Sequence, residues 1–256
     1  MYHTATVKGG FSIRPVLFCG EIPKAYEDAL TSLGYEVRRL PPFSALDFPV
    51  ASHPDMLFCQ LPSGKLLTSR HYLQEHSAFF APLSSHLVPC DSRPQSPYPT
   101  DTVFNAFAIG STLFGGKALA NELTRYYPDT VTVPQGYTHC SAAIVGSGVI
   151  TQDKPLYHAL LQKGVHALLI SSGAIRLPPY DTGFIGGASI TLSDTLTVFF
   201  GKIEDHPDYP AMAAFAQSEN ATLLSLTNTP LADYGGGYLL NRYESEIKTQ
   251  NTESQA

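Results

Sequence analysis

Prolines and glycines punctuate this chain at a spacing that leaves few folds open to it. Apolar runs bounded by these residues read as strand, strand, helix, strand, and the pattern then begins again. Met56–Gln60 and Lys65–Thr68 predict a hairpin around Pro62-Ser63-Gly64, followed by a helix from about His71 and a strand over Ser85–Val88 that Pro89 stops. Thr102–Ile109 and Thr112–Phe114 form the next hairpin, with a helix over Ala118–Tyr127 and a strand over Thr130–Val133 ended by Pro134. Ala142–Val145 and Val149–Thr151 turn through Gly146-Ser147-Gly148, Pro155 starts a helix that Gly164 ends, and Val165–Ile170 is the strand. Ser189–Leu192 and Thr195–Phe200, a helix from Pro207, and Ala221–Leu226 repeat the grammar once more. The ends of the second hairpin strands, near Cys19, Thr68, Phe114, Thr151 and Phe200, recur about every 45 residues, a period expected of repeat architectures.

The first unit has a strand at Pro15–Gly20, a helix from Pro23 to Leu33 capped by Gly34, and a strand at Tyr35–Leu40, but no opening strand. The segment Tyr238–Leu240, after Gly235-Gly236-Gly237, is the expected source. A ring closed by its two ends would leave no unpaired sheet edges. Residues 1–14 read as a loose arm or short edge strand, and 243–256 as a disordered polar tail. The expected organisation is therefore one domain over 1–242. Its units span about 15–50, 53–98, 100–135, 139–178 and 187–232, closed by 235–241.

A net charge of −6 with no basic run argues against nucleic acid as a partner. No apolar stretch approaches the roughly 20 residues of a membrane span, and no signal-peptide core is visible at the N-terminus. The four cysteines, Cys19, Cys59, Cys90 and Cys140, fall singly without metal-ligand spacing. Free thiols in a reducing cytoplasm are therefore expected, with no metal and no organic cofactor. Cys19 and Cys59 sit in apolar strands as small buried hydrophobes.

Five such units resemble the pentein, or amidinotransferase-like, superfamily, and the resemblance covers about Val16 to Leu240. His53-Pro54-Asp55-Met56, Gln135-Gly136-Tyr137 with Cys140-Ser141, and Asp181-Thr182-Gly183-Phe184-Ile185-Gly186-Gly187 are similar to the marks of an uncharacterised bacterial branch of it. The resemblance implies an α/β fold, a five-bladed β/α propeller of ββαβ repeats with pseudo-fivefold symmetry around a polar pore. It also implies thiol chemistry at an amidine or guanidine carbon, of hydrolase or amidinotransferase type, on a small polar metabolite. Cys140 would be the nucleophile, His53 the acid and base, and Asp55 a carboxylate that orients the substrate or the histidine. Asn105, Gln135, Tyr137, Asp181 and Gly187 would line the pore. The Glu-Gly-Gly-Asp motif with which deiminases grip a guanidinium has its nearest counterpart in Ile185-Gly186-Gly187-Ala188, which carries no acid. A guanidinium without carboxylate partners would lose its hydration uncompensated, so arginine fits poorly.

Read by themselves, the same residues have plainer roles. Cys140 could be a buried structural thiol. His53-Pro54-Asp55 recurs as His206-Pro207-Asp208, where it reads as a helix start, although at His53 it precedes an apolar strand. Asp181, Asn105 and Asp101 could bond locally, as Asp and Asn do in loops, with Asp101 the plainest case. A non-catalytic binding or interaction protein on the same ring is thus the competing expectation, and the oligomeric state is open.

Overall fold

The computed structural model describes residues 14–240, so the N-terminal arm and the polar tail lie outside the described residues. Fifteen strands run in chain order: β1 Val16–Cys19, β2 Glu36–Arg39, β3 Phe58–Gln60, β4 Leu66–Ser69, β5 Leu87–Cys90, β6 Ala106–Ile109, β7 Thr112–Gly115, β8 Asp129–Thr132, β9 Ala142–Val145, β10 Gly148–Thr151, β11 Ala167–Leu169, β12 Ser189–Ser193, β13 Leu196–Phe199, β14 Thr222–Ser225 and β15 Gly237–Leu240. Among the described residues they form five three-stranded sheets, ordered β15-β1-β2, β3-β4-β5, β6-β7-β8, β9-β10-β11 and β12-β13-β14. In every blade the first pair is antiparallel and the second parallel, the first being a tight hairpin in all but the β15–β1 pair and the second always joined by a crossover.

The C-terminal strand β15 completes the N-terminal blade, pairing Val16 with Leu240 and Cys19 with Gly237. No blade holds its core within itself, because the apolar clusters lie between neighbours. Phe18, Phe58, Tyr72, Phe80 and Tyr238 join the first blade to the second. Cys59, Leu67, Phe104 and Leu113 join the second to the third, and Phe107, Phe114, Val149 and Leu156 the third to the fourth. Ala143, Ile150, Phe199 and Met212 link the fourth to the fifth, and Leu17, Leu30, Val198 and Phe200 bring the ring back to the first.

Several local expectations change. The strand that Pro89 was expected to stop runs through it, since Pro89 pairs with Thr68 on a parallel edge where its missing N–H costs no ladder bond. The helix expected over Ala118–Tyr127 is a short 3-10 segment, Asn121–Arg125, with Leu123 fully buried beneath it. The strand expected from Thr102 starts only at Ala106, and Met56 and Leu57 belong to a single helical turn, Pro54–Leu57. His53 is the N-cap residue of that turn, although its side chain makes no capping bond. At the second copy of the tripeptide, Asp208 precedes the helix Tyr209–Ser218. No helix among the described residues is long and apolar enough to cross a membrane.

Because β15 covers the outer edge of β1, a chain shortened to end at Tyr234 should expose the Val16–Cys19 edge and break the Phe58–Tyr238 contact. Aggregation by light scattering, with loss of a cooperative urea transition, is expected of the shortened chain. A monomer unfolding like the full chain would show that closure is dispensable.

Candidate active site

The blades are reached through short helical turns that carry polar side chains towards one point. Pro54–Leu57 leads into β3, and Asn105 closes a turn on Thr102 just before β6. Ser141 N–H donates to Tyr137 O ahead of β9, and Ala188 N–H to Phe184 O ahead of β12. His139 and Cys140 are thus on a helical turn, where strand alternation does not separate their side chains.

Cys140 Sγ donates to Asp55 Oδ2 at 2.8 Å and accepts from Asn105 Nδ2 at 3.0 Å. Asn105 Oδ1 in turn takes the N–H of His139 at 2.7 Å and that of Cys140 at 3.2 Å, so this one amide fixes both the turn and the thiol. Asp233, absent from the expected set, enters from the C-terminal loop. Its Oδ1 accepts from Gly235 N–H and its Oδ2 from Phe184 N–H, each at 2.9 Å. His53 Nδ1 lies 3.9 Å from Asp233 Oδ1, while the hydrogen-bond partners of the thiol are Asp55 and Asn105 rather than His53. Asp55 N–H donates to Gly235 O, tying the second blade's turn to the same loop. His53, Asp55, Asn105, Cys140 and Asp233 are all at most 5% exposed.

The other three cysteines sit in apolar clusters, and burial pushes Cys59 and Cys90 up to about 12. Cys140 is absent from those clusters and faces polar groups instead. Its pKa is also held well above the usual thiol value, by burial and by the charges of Asp55 and Asp233. Burial lifts Asp55 to about 8, with the Asp233 charge adding to the rise. Burial likewise lifts Asp233 to about 6 against its two backbone donors. Burial drops His53 and His139 to about 4, so both imidazoles are neutral at pH 7. Asp55 Oδ1 is buried without a hydrogen-bond partner among the described residues. The Asp233 charge reaches Asp55, and among the described residues neither acid forms an ion pair with a Lys or Arg.

The remaining expected residues divide. Gly187 N–H donates to Cys140 O at 3.0 Å, and a Cβ on it would run into the Asp233 carboxylate, so glycine here makes room for the acid. Tyr137 donates from its hydroxyl to Asp101 Oδ2 at 2.8 Å, and Gln135 Oε1 accepts from Tyr137 N–H at 3.1 Å. Gln135 thus shapes the turn rather than reaching the thiol. Asp181 is exposed on its loop and makes no hydrogen bond to the cluster. The sequence signal for Asp233 is only an acid two residues before Gly235-Gly236-Gly237, a setting that reads as ordinary loop chemistry.

These shifts set a stability profile. A carboxyl whose pKa rises on folding keeps a proton that the unfolded chain releases, so its contribution is present at low pH and lost as pH climbs to the folded value. The two buried histidines work in the opposite direction, but only below their unfolded value near 6.5. Between pH 6.5 and 8 Asp55 dominates. At roughly 1.4 kcal/mol per pH unit, stability in urea should fall by about 2 kcal/mol over that window. Asp55→Asn should flatten the profile, and parallel profiles for the two proteins would remove this electrostatic account.

The ring of five ββαβ blades is that of the pentein β/α propellers, and solved structures of that class superpose on it. Dimethylarginine dimethylaminohydrolase from Pseudomonas aeruginosa, complexed with citrulline, matches with a TM-score of 0.51 at 8% identity over 85% of this chain and 93% of that one. An amidinotransferase of saxitoxin biosynthesis from Microseira wollei gives 0.52 at 11% identity, covering 86% and 79%. A substrate-bound agmatine deiminase from C. jejuni gives 0.54 at 7% identity, covering 90% and 94%. At such identities the likeness establishes the fold. No curated protein matches the chain in sequence. A family profile matches residues 18–237, and the chain belongs to that family, described as a family of unknown function (DUF6873).

Proposed function

We propose that the protein is a cysteine-dependent enzyme acting on a C–N bond of a small amidine or guanidine, with hydrolysis as the simplest reaction. The observation that carries this is the thiol of Cys140 held between Asp55 and Asn105, with Asp233 as a second buried acid whose basic neighbour, His53 at 3.9 Å, is neutral at pH 7. An amidinium or guanidinium would supply the missing positive charge and donate to the unpartnered Asp55 Oδ1. The acids lacking from the Gly186-Gly187 stretch are thus supplied by Asp55 and Asp233, and arginine-like cations become better ligands than the sequence implied.

The bound cation would favour the ionised form of both carboxyls. Asp55 then takes the Cys140 proton across their 2.8 Å contact. The sulfur forms a bond to the amidine carbon, the C–N bond to the leaving amine breaks, and the proton passes from Asp55 to that nitrogen. Water next adds to the carbon with its proton going to neutral His53, and the S–C bond breaks as that proton is returned to the sulfur, restoring the thiol. The products are the amine and an amide or urea. The four unpaired cysteines suit a reducing compartment, and we place the protein in the cytoplasm.

One observation favours a non-catalytic binding protein instead. The resting thiol is held protonated in a closed site. The two readings separate with a paired reagent experiment. 2-Chloroacetamidine, which is cationic, should alkylate Cys140 at least about ten times faster than neutral chloroacetamide, as followed by intact-protein mass spectrometry and peptide mapping. Asp55→Asn should erase that preference. Equal rates, or modification of Cys19 and Cys59 in preference to Cys140, would favour the binding reading.

A further inference from the structure

A groove of about 610 Å³ lies between the outer strand of the second blade, β5, and the helical segment of the third, and the chemistry above does not use it. Cavities of roughly 300–1,000 Å³ are the usual size for small-molecule sites. Its floor is Leu67, Val88 and Cys90, which belong to or pack against the apolar cluster joining those two blades. Two guanidinium groups line it, one from each blade. Arg70 opens the helix Arg70–Glu75, and Arg125 ends the 3-10 segment Asn121–Arg125. Tyr126 adds a half-exposed ring to the same groove.

The two acids of the groove are already engaged. Glu122 Oε1 accepts from Ser92 N–H at 3.3 Å and its Oε2 from the Ser92 hydroxyl at 2.7 Å. Asp91 accepts from Arg70 Nε at 3.1 Å, but its side chain is 88% exposed, so water screens the pair. The charges of Glu122, Asp91 and Arg70 all act on the Cys90 thiol, which sets them about one point of the floor. The donors are less well served. The Nη atoms of Arg70 and the whole Arg125 guanidinium have no hydrogen bond or ion pair among the described residues. Ser69, next to Arg70 and opposite Cys90 in the β4–β5 register, is fully buried, and its Oγ has no partner among the described residues. Strand alternation sets it on the same face as Leu67.

We propose that this groove is a second ligand site, for an aromatic phosphate monoester whose phosphate is held by Arg70 and Arg125 and whose ring lies on the apolar floor beside Tyr126. A phosphate monoester presents three oxygens in three directions, which guanidinium forks from two walls can share. A carboxylate presents only two oxygens in one plane, and one fork satisfies it. The ligand gives Arg125 an ionic partner, and its ring covers apolar surface that is otherwise open to water. The site shares no residue with Cys140 and its acids, so it stands or falls apart from the reading of that centre.

The test is calorimetric titration of the full chain with phenyl phosphate, inorganic phosphate, benzoate and phenol. Phenyl phosphate should bind at least about ten times more tightly than each of the other three. Arg125→Gln and Arg70→Gln should each weaken it by about tenfold or more. Tyr126→Ala should bring phenyl phosphate close to the level of inorganic phosphate while leaving the latter within about twofold of the wild type. Thermal melting checks that the variants are folded, and alkylation of Cys140 by 2-chloroacetamidine should run at the wild-type rate in all three. If benzoate binds as tightly as phenyl phosphate, the assignment to phosphate is overturned. Phenyl phosphate binding equally well to folded Arg125→Gln, or no binding by either phosphate, removes the site altogether.

Discussion

A three-stranded sheet backed only by short helices cannot bury both of its faces, and everything else in this protein follows from that shortage. Each blade lends its faces to two neighbours, so the five apolar clusters lie between blades and connect in a circle. A circle of shared cores has no stable end. The pairing of β15 with β1 supplies the missing closure, and Tyr238 carries it inward by donating to Phe58 O in the next blade. Hydrophobic burial and strand pairing therefore act on the same residues, which makes closure a condition of the fold rather than an addition to it.

The polar centre is a consequence of the same geometry. Five blades radiating from one axis bring their lead-in turns together, where side chains from distant parts of the chain meet in little space. Asp55 and Cys140 are 85 residues apart in sequence and in contact, and Asn105 and Cys140 are 35 apart. Excluding solvent from such a point is costly for charged groups, and the shifts at Asp55, Asp233 and Cys140 are the record of that cost. Among the described residues the ion-pair neighbour of these acids is His53, itself neutral at pH 7, so neither carboxyl has a cation beside it to offset its burial.

The blades were legible because their punctuation is local. Pro23, Gly34, Pro155 and Gly164 act through the backbone within a few residues, and the helices they bound lie at Lys24–Ser32 and Lys154–Gln162 as expected. The helix over Ala118–Tyr127 failed for the opposite reason, because its apolar spacing admits a 3-10 turn that buries Leu123 equally well. In the site, Cys140, Asp55 and Asn105 meet, while Asp181 is exposed on its loop. Asp233 was passed over because an acid beside glycines looks like ordinary loop chemistry, the same reading that Asp101 receives at its turn after proline. Nothing in the sequence marks that Asp233 shares a space opened by Gly187, or that Tyr137 draws off one oxygen of Asp101.

The sequence by itself determined the repeat, the blade grammar and the use of Tyr238–Leu240 to close the first blade, since these depend on hydrophobic period, turn chemistry and one unpaired edge. Only the tertiary structure decided which polar groups face one another and which stay in water. That choice is set by the register of the lead-in turns around the axis, a long-range property that fixes which charges lose their hydration together.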